Sequence, residues 1–310
     1  MYAKYVYNAG STVANVLSDV TALLTGESDL NNLSTSCNKG QSALVADVAA
    51  GWLLHDATAG TNARALKAPL ADNPNAFKFV VVDFNTSGYV LTKVYENWNN
   101  TTHTGTNLCA NSDQTPYSQR LDLTNGGTLH LCASERFLLI AGFYGGAWGS
   151  SSYNGPSGCF ERTRVCPWDT VAAGWPPFIF ANLGYWAYND SSASMPRKFS
   201  RTGATLTGGS ANLGSNVVPF GSLSWFMNNC NGVDQKAPDD AGGSFIPFLP
   251  ILLSDNGNMP MHYGEITSLC DLWALPQGVA ANLDVIQKSG VNYLCLQAQT
   301  SGKMFAVRKG

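Results

Sequence analysis

The chain has 310 residues, enough for one large β-rich domain or two smaller ones, and its 45% hydrophobic content excludes a disordered tail. Only 13% of residues are charged, about half of the ~25% usual in soluble domains, so the polar surface has to come largely from Asn, Ser, Thr, Gly and Gln. A net charge of −3, with Lys and Arg clustered only at Arg197, Lys198 and Arg201 and at Arg308 and Lys309, excludes the basic stripe that nucleic-acid binding requires.

The opening Met1–Asn8 has no charged start followed by an apolar run, so no secretory signal is expected. Tyr5 and Tyr7 alternate there and predict a short strand. Ser11 then stands as a cap, and Val13, Val16, Leu17, Val20, Leu23 and Leu24 fall at helical spacing until Gly26. This is an amphipathic helix of about four turns. Its apolar stripe has two readings. It docks on an adjacent subunit through Tyr5, Tyr7, Val13, Val16, Leu17, Val20 and Leu24, or it packs on the chain's own sheet.

From residue 50 to about 165 the pattern is β. Phe77–Asp83 and Gly88–Tyr95 read as strands joined by a turn at Asn85–Gly88. Arg120–Leu123 and Thr128–Ala133 flank Asn125-Gly126-Gly127, which predicts a hairpin. Arg136–Tyr144 and Phe160–Val165 add two more strands. Residues 145–158 form a Gly/Ser loop with aromatics, and a second polar loop covers 201–216. The longest apolar run, Phe245–Leu253, is broken by Pro247 and Pro250, so no membrane span is expected. A last hairpin pairs Tyr293–Ala298 with Met304–Val307. Short strands at close spacing predict a mainly β chain, an antiparallel sandwich or barrel-like arrangement with an N-terminal amphipathic helix. The expected division is 1–30 as a docking element, 31–188 as a β-rich domain and 189–310 as a second β-rich subdomain.

The motifs of chemistry are sparse. Gly302-Lys303 has no glycine five residues upstream and is followed by Met304, so it is a turn and not a phosphate cradle. Gly155-Pro-Ser-Gly158 has the wrong spacing for a nucleophile elbow. The four histidines, His55, His103, His130 and His262, read as structural or exposed rather than as bases. Eight cysteines, at 37, 109, 132, 159, 166, 230, 270 and 295, contain no Cys-x-x-Cys and are expected as free thiols, mostly small apolar fillers. His130-x-Cys132 shares one strand face, and with Cys159 and Cys166 it would be the one conceivable metal set; core thiols are the favoured reading. Asp83 and Glu161 could pair for glycan cleavage, but laddering with Lys93 or Arg162 is favoured. Trp148, Tyr153, Trp168 and Trp175 are candidates for stacking on glycan, and equally for anchoring a protein interface. No catalytic residue, metal or cofactor is expected.

Several segments together resemble virion structural proteins of tailed bacteriophages. They are Lys4–Glu27, Trp52–Asn62 (Trp-Leu-Leu-His-Asp-Ala-Thr-Ala-Gly-Thr-Asn), Phe84–Tyr89, Val94–Asn99, Phe143–Cys159 and Met304–Gly310. The resemblance implies a subunit of the particle, tail- or baseplate-associated, made in the host cytoplasm and assembled with other virion proteins as a symmetric oligomer. It implies no catalytic residues. The alternatives carried from the sequence are a fibre or receptor-binding module that contacts host surface glycan, a capsid decoration protein and, last, a glycan hydrolase.

Overall fold

The computed structural model describes residues 1–27, 29–38, 51–72, 78–84, 86–111, 119–142, 157–163, 178–182, 217–220, 237–238, 244–245, 249–250, 252–255, 262–266, 272–275, 280–298 and 303–309. The protein is mainly β and its ladders are antiparallel, as the alternation predicts. In chain order, β1 (Tyr2–Tyr7) and α1 (Val13–Leu24) precede one five-stranded sheet. Its strands are β2 (Leu53–Gly60), β3 (Ala63–Lys67), β4 (Phe79–Phe84), β5 (Val90–Asn99) and β6 (Thr104–Asn111). Next come β7 (Gly127–Ala133), β8 (Phe137–Gly142), β9 (Ser157–Thr163), β10 (Phe178–Asn182) and β11 (Val217–Phe220). Short pieces follow, β12 (Ala237–Pro238), β13 (Ser244–Phe245), β14 (Leu249–Pro250), β15 (Leu252–Asp255) and β16 (His262–Ile266). The last four are β17 (Leu272–Leu275), β18 (Val285–Lys288), β19 (Val291–Ala298) and β20 (Lys303–Arg308).

The largest sheet runs β1-β7-β8-β9-β16-β15-β11, with β10 paired to β9, and a third sheet runs β14-β17-β20-β19-β18. The expected boundary near residue 189 does not separate sheets. Glu265 and Ile266 of β16 lie opposite Thr163 and Arg162 of β9.

Period-two alternation decides what each strand buries. On β1, Ala3, Tyr5 and Tyr7 enter the main core while Tyr2 and Lys4 take the other face. On β4, Val80, Val82 and Phe84 enter the same core. Their cross-strand partners Val94 and Val90 on β5 join them. The core therefore lies between the β1-β7-β8 face and the β3-β4-β5 face, a sandwich with α1 inserted along it. Ser157 Oγ on β9 donates to the Val90 carbonyl at 2.9 Å and ties the two layers together.

Two local expectations change. Thr12, not Ser11, caps α1: its hydroxyl accepts from the Asn15 amide at 3.2 Å, while Ser11 Oγ turns back to donate to the Asn8 carbonyl at 2.6 Å. The helix is 12 residues long, about three turns. The hairpin around Asn125-Gly126-Gly127 keeps its turn but not its pairing. Asp122 holds the turn, accepting from the Asn125 amide at 3.0 Å, and Gly126 adopts φ +78° where a Cβ would stand 2.7 Å from the Tyr7 carbonyl oxygen. The arms then diverge: Arg120 bridges to Tyr89, and β7 pairs with β1 from Tyr2↔Cys132 to Tyr7↔Gly127. A six-residue alternating strand offers β7 a longer complementary edge than four residues could. The last hairpin forms as predicted, with Ala298 opposite Lys303.

Candidate functional site

The stripe on α1 is consumed inside the molecule. Tyr5, Tyr7, Val16, Leu17, Val20 and Leu24 are buried in the core with residues of β4, β5, β7 and β8, and Val13 packs half-buried at its edge. A buried Leu or Val contributes roughly 1.5–3 kcal/mol when removed from water, so this face is satisfied by the chain's own sheets and is not open to a neighbour. The reading of residues 1–30 as a separate docking element is corrected on this ground: one hydrophobic cluster includes Met1, Leu33, Cys37, Trp52 and Cys159. Polar contacts lock the helix too. Asp19 accepts from Tyr5 Oη at 2.7 Å, from the Ser34 amide at 2.7 Å and from Ser34 Oγ at 2.6 Å. Burial, and then the Asp19 carboxylate, push the Tyr5 phenol pKa far above its ordinary value.

Trp148, Tyr153, Trp168 and Trp175 lie outside the described residues, as does Cys166. Among the described residues, the exposed large apolar side chains are instead Leu53 and Leu54 on β2 and Val285 on β18. Leu53 is 59% exposed and Leu54 46%. β2 is the edge of its sheet, and consecutive exposed leucines on it leave both faces of the strand open. Such an edge places apolar side chains on a strand that borders no further strand of its sheet, an arrangement that can recruit another strand, while farther along it the His55 carbonyl and the Thr58 amide are already hydrogen-bonded. No Lys or Pro lies on it, but its ladder with β3 shifts register between Leu54 and Asp56 and again between Asp56 and Gly60, irregularities that confine the open stretch to Leu53 and Leu54. The sequence contains the signal, Leu53-Leu54, but nothing local says that this strand ends a sheet.

Behind this edge sits a buried carboxylate. The sheet curls until Asp56 on β2 reaches the far hairpin between β5 and β6. Asp56 Oδ2 accepts from Trp98 Nε1 at 2.8 Å and meets His103 Nδ1 at 2.8 Å. Its Oδ1 accepts from the Thr58 amide at 2.8 Å and from Thr58 Oγ1 at 3.0 Å. Burial by itself would raise the Asp56 pKa, but the contacts from His103, Trp98 and Thr58 outweigh it and hold the carboxyl well below the usual range. Asn100 Nδ2 adds a bond to the His55 carbonyl at 3.0 Å, so the hairpin tip is clasped to the edge strand at two points. An Asp–His pair can orient an imidazole for base chemistry. Here the nearest hydroxyl, Thr58 Oγ1, lies 3.3 Å from the same Nδ1 that faces Asp56, so it does not stand where a triad nucleophile would. The arrangement is a clasp that closes the curl. His55 is the histidine next to Asp56 in the chain, but the imidazole that meets the carboxylate is that of His103, 47 residues away.

The remaining candidates separate. Asp83 stands 3.3 Å from Lys93, the laddered pair expected on this face. His130 and Cys132 share the outer face of β7, but Cys159 enters the main core with Leu138 on the opposite side of the sheet, so these three do not converge. Cys37, Cys132, Cys159 and Cys295 are buried free thiols, and burial pushes Cys132, Cys159 and Cys295 up to about 12. No family model matches the chain, and no curated protein matches it.

Proposed function

We propose that the chain is a non-enzymatic structural subunit of a tailed-bacteriophage particle, placed in the tail or baseplate region, where it holds neighbouring subunits or connects fibres. The observation that carries the subunit reading is the exposure of Leu53 and Leu54 on the edge strand β2, in a chain only 13% charged. A neutral polar surface loses little hydration free energy when a neighbour covers it, and charge depletion is the compositional mark of buried interface. The particle reading rests on the resemblance of the segments given above. On this proposal the protein is made in the host cytoplasm and enters the virion as a homo-oligomer beside other virion proteins, without contacting nucleic acid. Among the described residues, no helix is long and apolar enough to cross a membrane.

Immunogold labelling of purified particles with antibody against this chain tests the proposal. Label at the tail or baseplate is the expected result. Label on the head moves the protein to capsid decoration, and label on the fibres to host contact. Absence of the chain from purified particles, by labelling and by mass spectrometry, overturns the reading.

A further inference from the structure

We infer that a second site, separate from the β2 edge, binds a small organic anion in a pocket of ≈ 340 Å³ between the outer face of β1 and β7 and the β17–β20 sheet. Its polar lining is Tyr2, Lys4, Thr128, His130 and Lys309. Strand register explains why these side chains meet. Tyr2 lies opposite Cys132 and Lys4 opposite His130, so they share the face that the main core does not use. Lys309 follows β20 and crosses to this face, its Nζ 4.6 Å from the centre of the Tyr2 ring. Tyr2 Oη and His130 Nδ1 are hydrogen-bonded at 2.9 Å, and the two rings stack with centroids 6.0 Å apart.

The charge in this pocket is one-sided. The chain has 21 acidic and 18 basic residues, yet two ammonium groups line the pocket, and among the described residues no carboxylate lies within ion-pair distance of either. His130 does not add to the positive charge at neutral pH. Burial first, then Lys4 and Lys309, push its pKa down to about 4. Burial, then Cys132, raise the Tyr2 phenol to about 12, so it stays protonated. Two lysines facing a half-enclosed space attract an anion and form charge-assisted hydrogen bonds with it. Leu283, Val285 and Leu294 form an apolar wall opposite, which favours an organic body over a bare ion. The volume is at the low end of ligand pockets and suits a body the size of one sugar ring carrying a carboxylate or a phosphate. This site is independent of where the protein resides, so its failure leaves the particle proposal untouched.

Isothermal titration of the full chain with glucuronate, glucose 6-phosphate and glucose tests the inference. Saturable binding of at least one anion and none of glucose is expected, and whichever anion binds identifies the carboxylate or the phosphate as the recognised group. Lys4→Gln and Lys309→Gln should each weaken binding by roughly 2- to 5-fold, the range for partly exposed charge contacts. Lys288→Gln serves as control, because Lys288 lies over the Trp273 ring on the other face of the same sheet. Circular dichroism confirms that each variant is folded. Failure of both anions to bind at tens of millimolar, equal binding of glucose, or unchanged binding in both pocket variants overturns the inference.

Discussion

Replacing Asp56 with Asn tests the clasp that closes the β2–β6 curl. The carboxylate offers two oxygens to donors on two sides: the Thr58 amide and hydroxyl on one, Trp98 Nε1 and His103 on the other. An amide has one oxygen. If that oxygen keeps the Thr58 pair, the new NH₂ group faces the Trp98 N–H, and two donors oppose each other inside the fold. A hydrogen bond to a charged group contributes about 1.5–3 kcal/mol, and a buried donor left without acceptor costs about 1–3 kcal/mol. Trp98 is half-buried, which puts the expected loss near the lower end, about 2–3 kcal/mol for Asp56→Asn. The pH dependence follows from the sign of the shift. The folded pKa is depressed, so the carboxylate's contribution is fully present above its unfolded value, about 3.9, and is lost as pH falls toward the folded one. The gap between wild type and Asp56→Asn in urea unfolding should be full at pH 7 and should narrow below about pH 4. A cycle with His103→Ala isolates the pair, and the coupling should exceed about 0.5 kcal/mol, as for residues in one network. A variant within about 0.5 kcal/mol of wild type at pH 7, which is the range of ordinary surface substitutions, refutes the clasp.

Other consequences are equally open to measurement. His130 has a folded pKa of about 4 against an ordinary 6.5, so the unfolded chain binds the extra proton between those values and wild type loses stability as pH falls through that window. The loss amounts to about 3 kcal/mol at pH 4, and His130→Gln should flatten the corresponding part of the stability–pH curve. Leu17→Ala should cost about 2–5 kcal/mol in urea unfolding, because Leu17 is completely buried on the inner face of α1; a cost under about 1 kcal/mol would mean that the helix does not seal the core. Deleting residues 1–30 should unfold the first sandwich, since it removes the strand paired to β7; a deletion variant with native far-UV dichroism and a cooperative melt would restore the docking reading. Leu53→Lys with Leu54→Lys should leave stability within about 0.5 kcal/mol and abolish self-association seen by light scattering, whereas unchanged assembly would remove the β2 edge from the interface.

What could be read from the sequence was whatever depends on near neighbours. The Phe-Val-Val-Val run of β4, the turn after it with Gly88 at φ +80°, and the β19–β20 hairpin are local alternations closed by local turns. What could not be read depends on pairings between distant segments. β7 had two candidate partners, and nothing within Arg120–Ala133 says that a strand more than a hundred residues earlier wins. The two readings of the α1 stripe were equivalent in sequence, because an apolar face looks the same whether its partner is its own sheet or another chain. Asp56 is the sharpest case: its neighbour His55 was visible, while Trp98 and His103 reach it only after the sheet has curled.

Among the described residues, the buried acids share a purpose. Asp19 gathers Tyr5 and Ser34, Asp56 gathers Thr58, Trp98 and His103, and Asp122 gathers the turn at Asn125. Each is buried, and each joins a helix, edge or turn to a sheet where regular ladder bonds stop. A carboxylate suits such a junction because it accepts several hydrogen bonds at once. Charge in this chain is thus partly an internal device, and a surface built from Asn, Ser and Thr remains. An exposed ion must shed hydration when covered, at a cost that pairing often fails to return; neutral side chains shed far less. The same economy of charge that pins loops onto sheets leaves few exposed ions to desolvate, which on the proposed subunit reading lets a neighbour cover the surface cheaply, with Leu53 and Leu54 on β2 as the apolar contact.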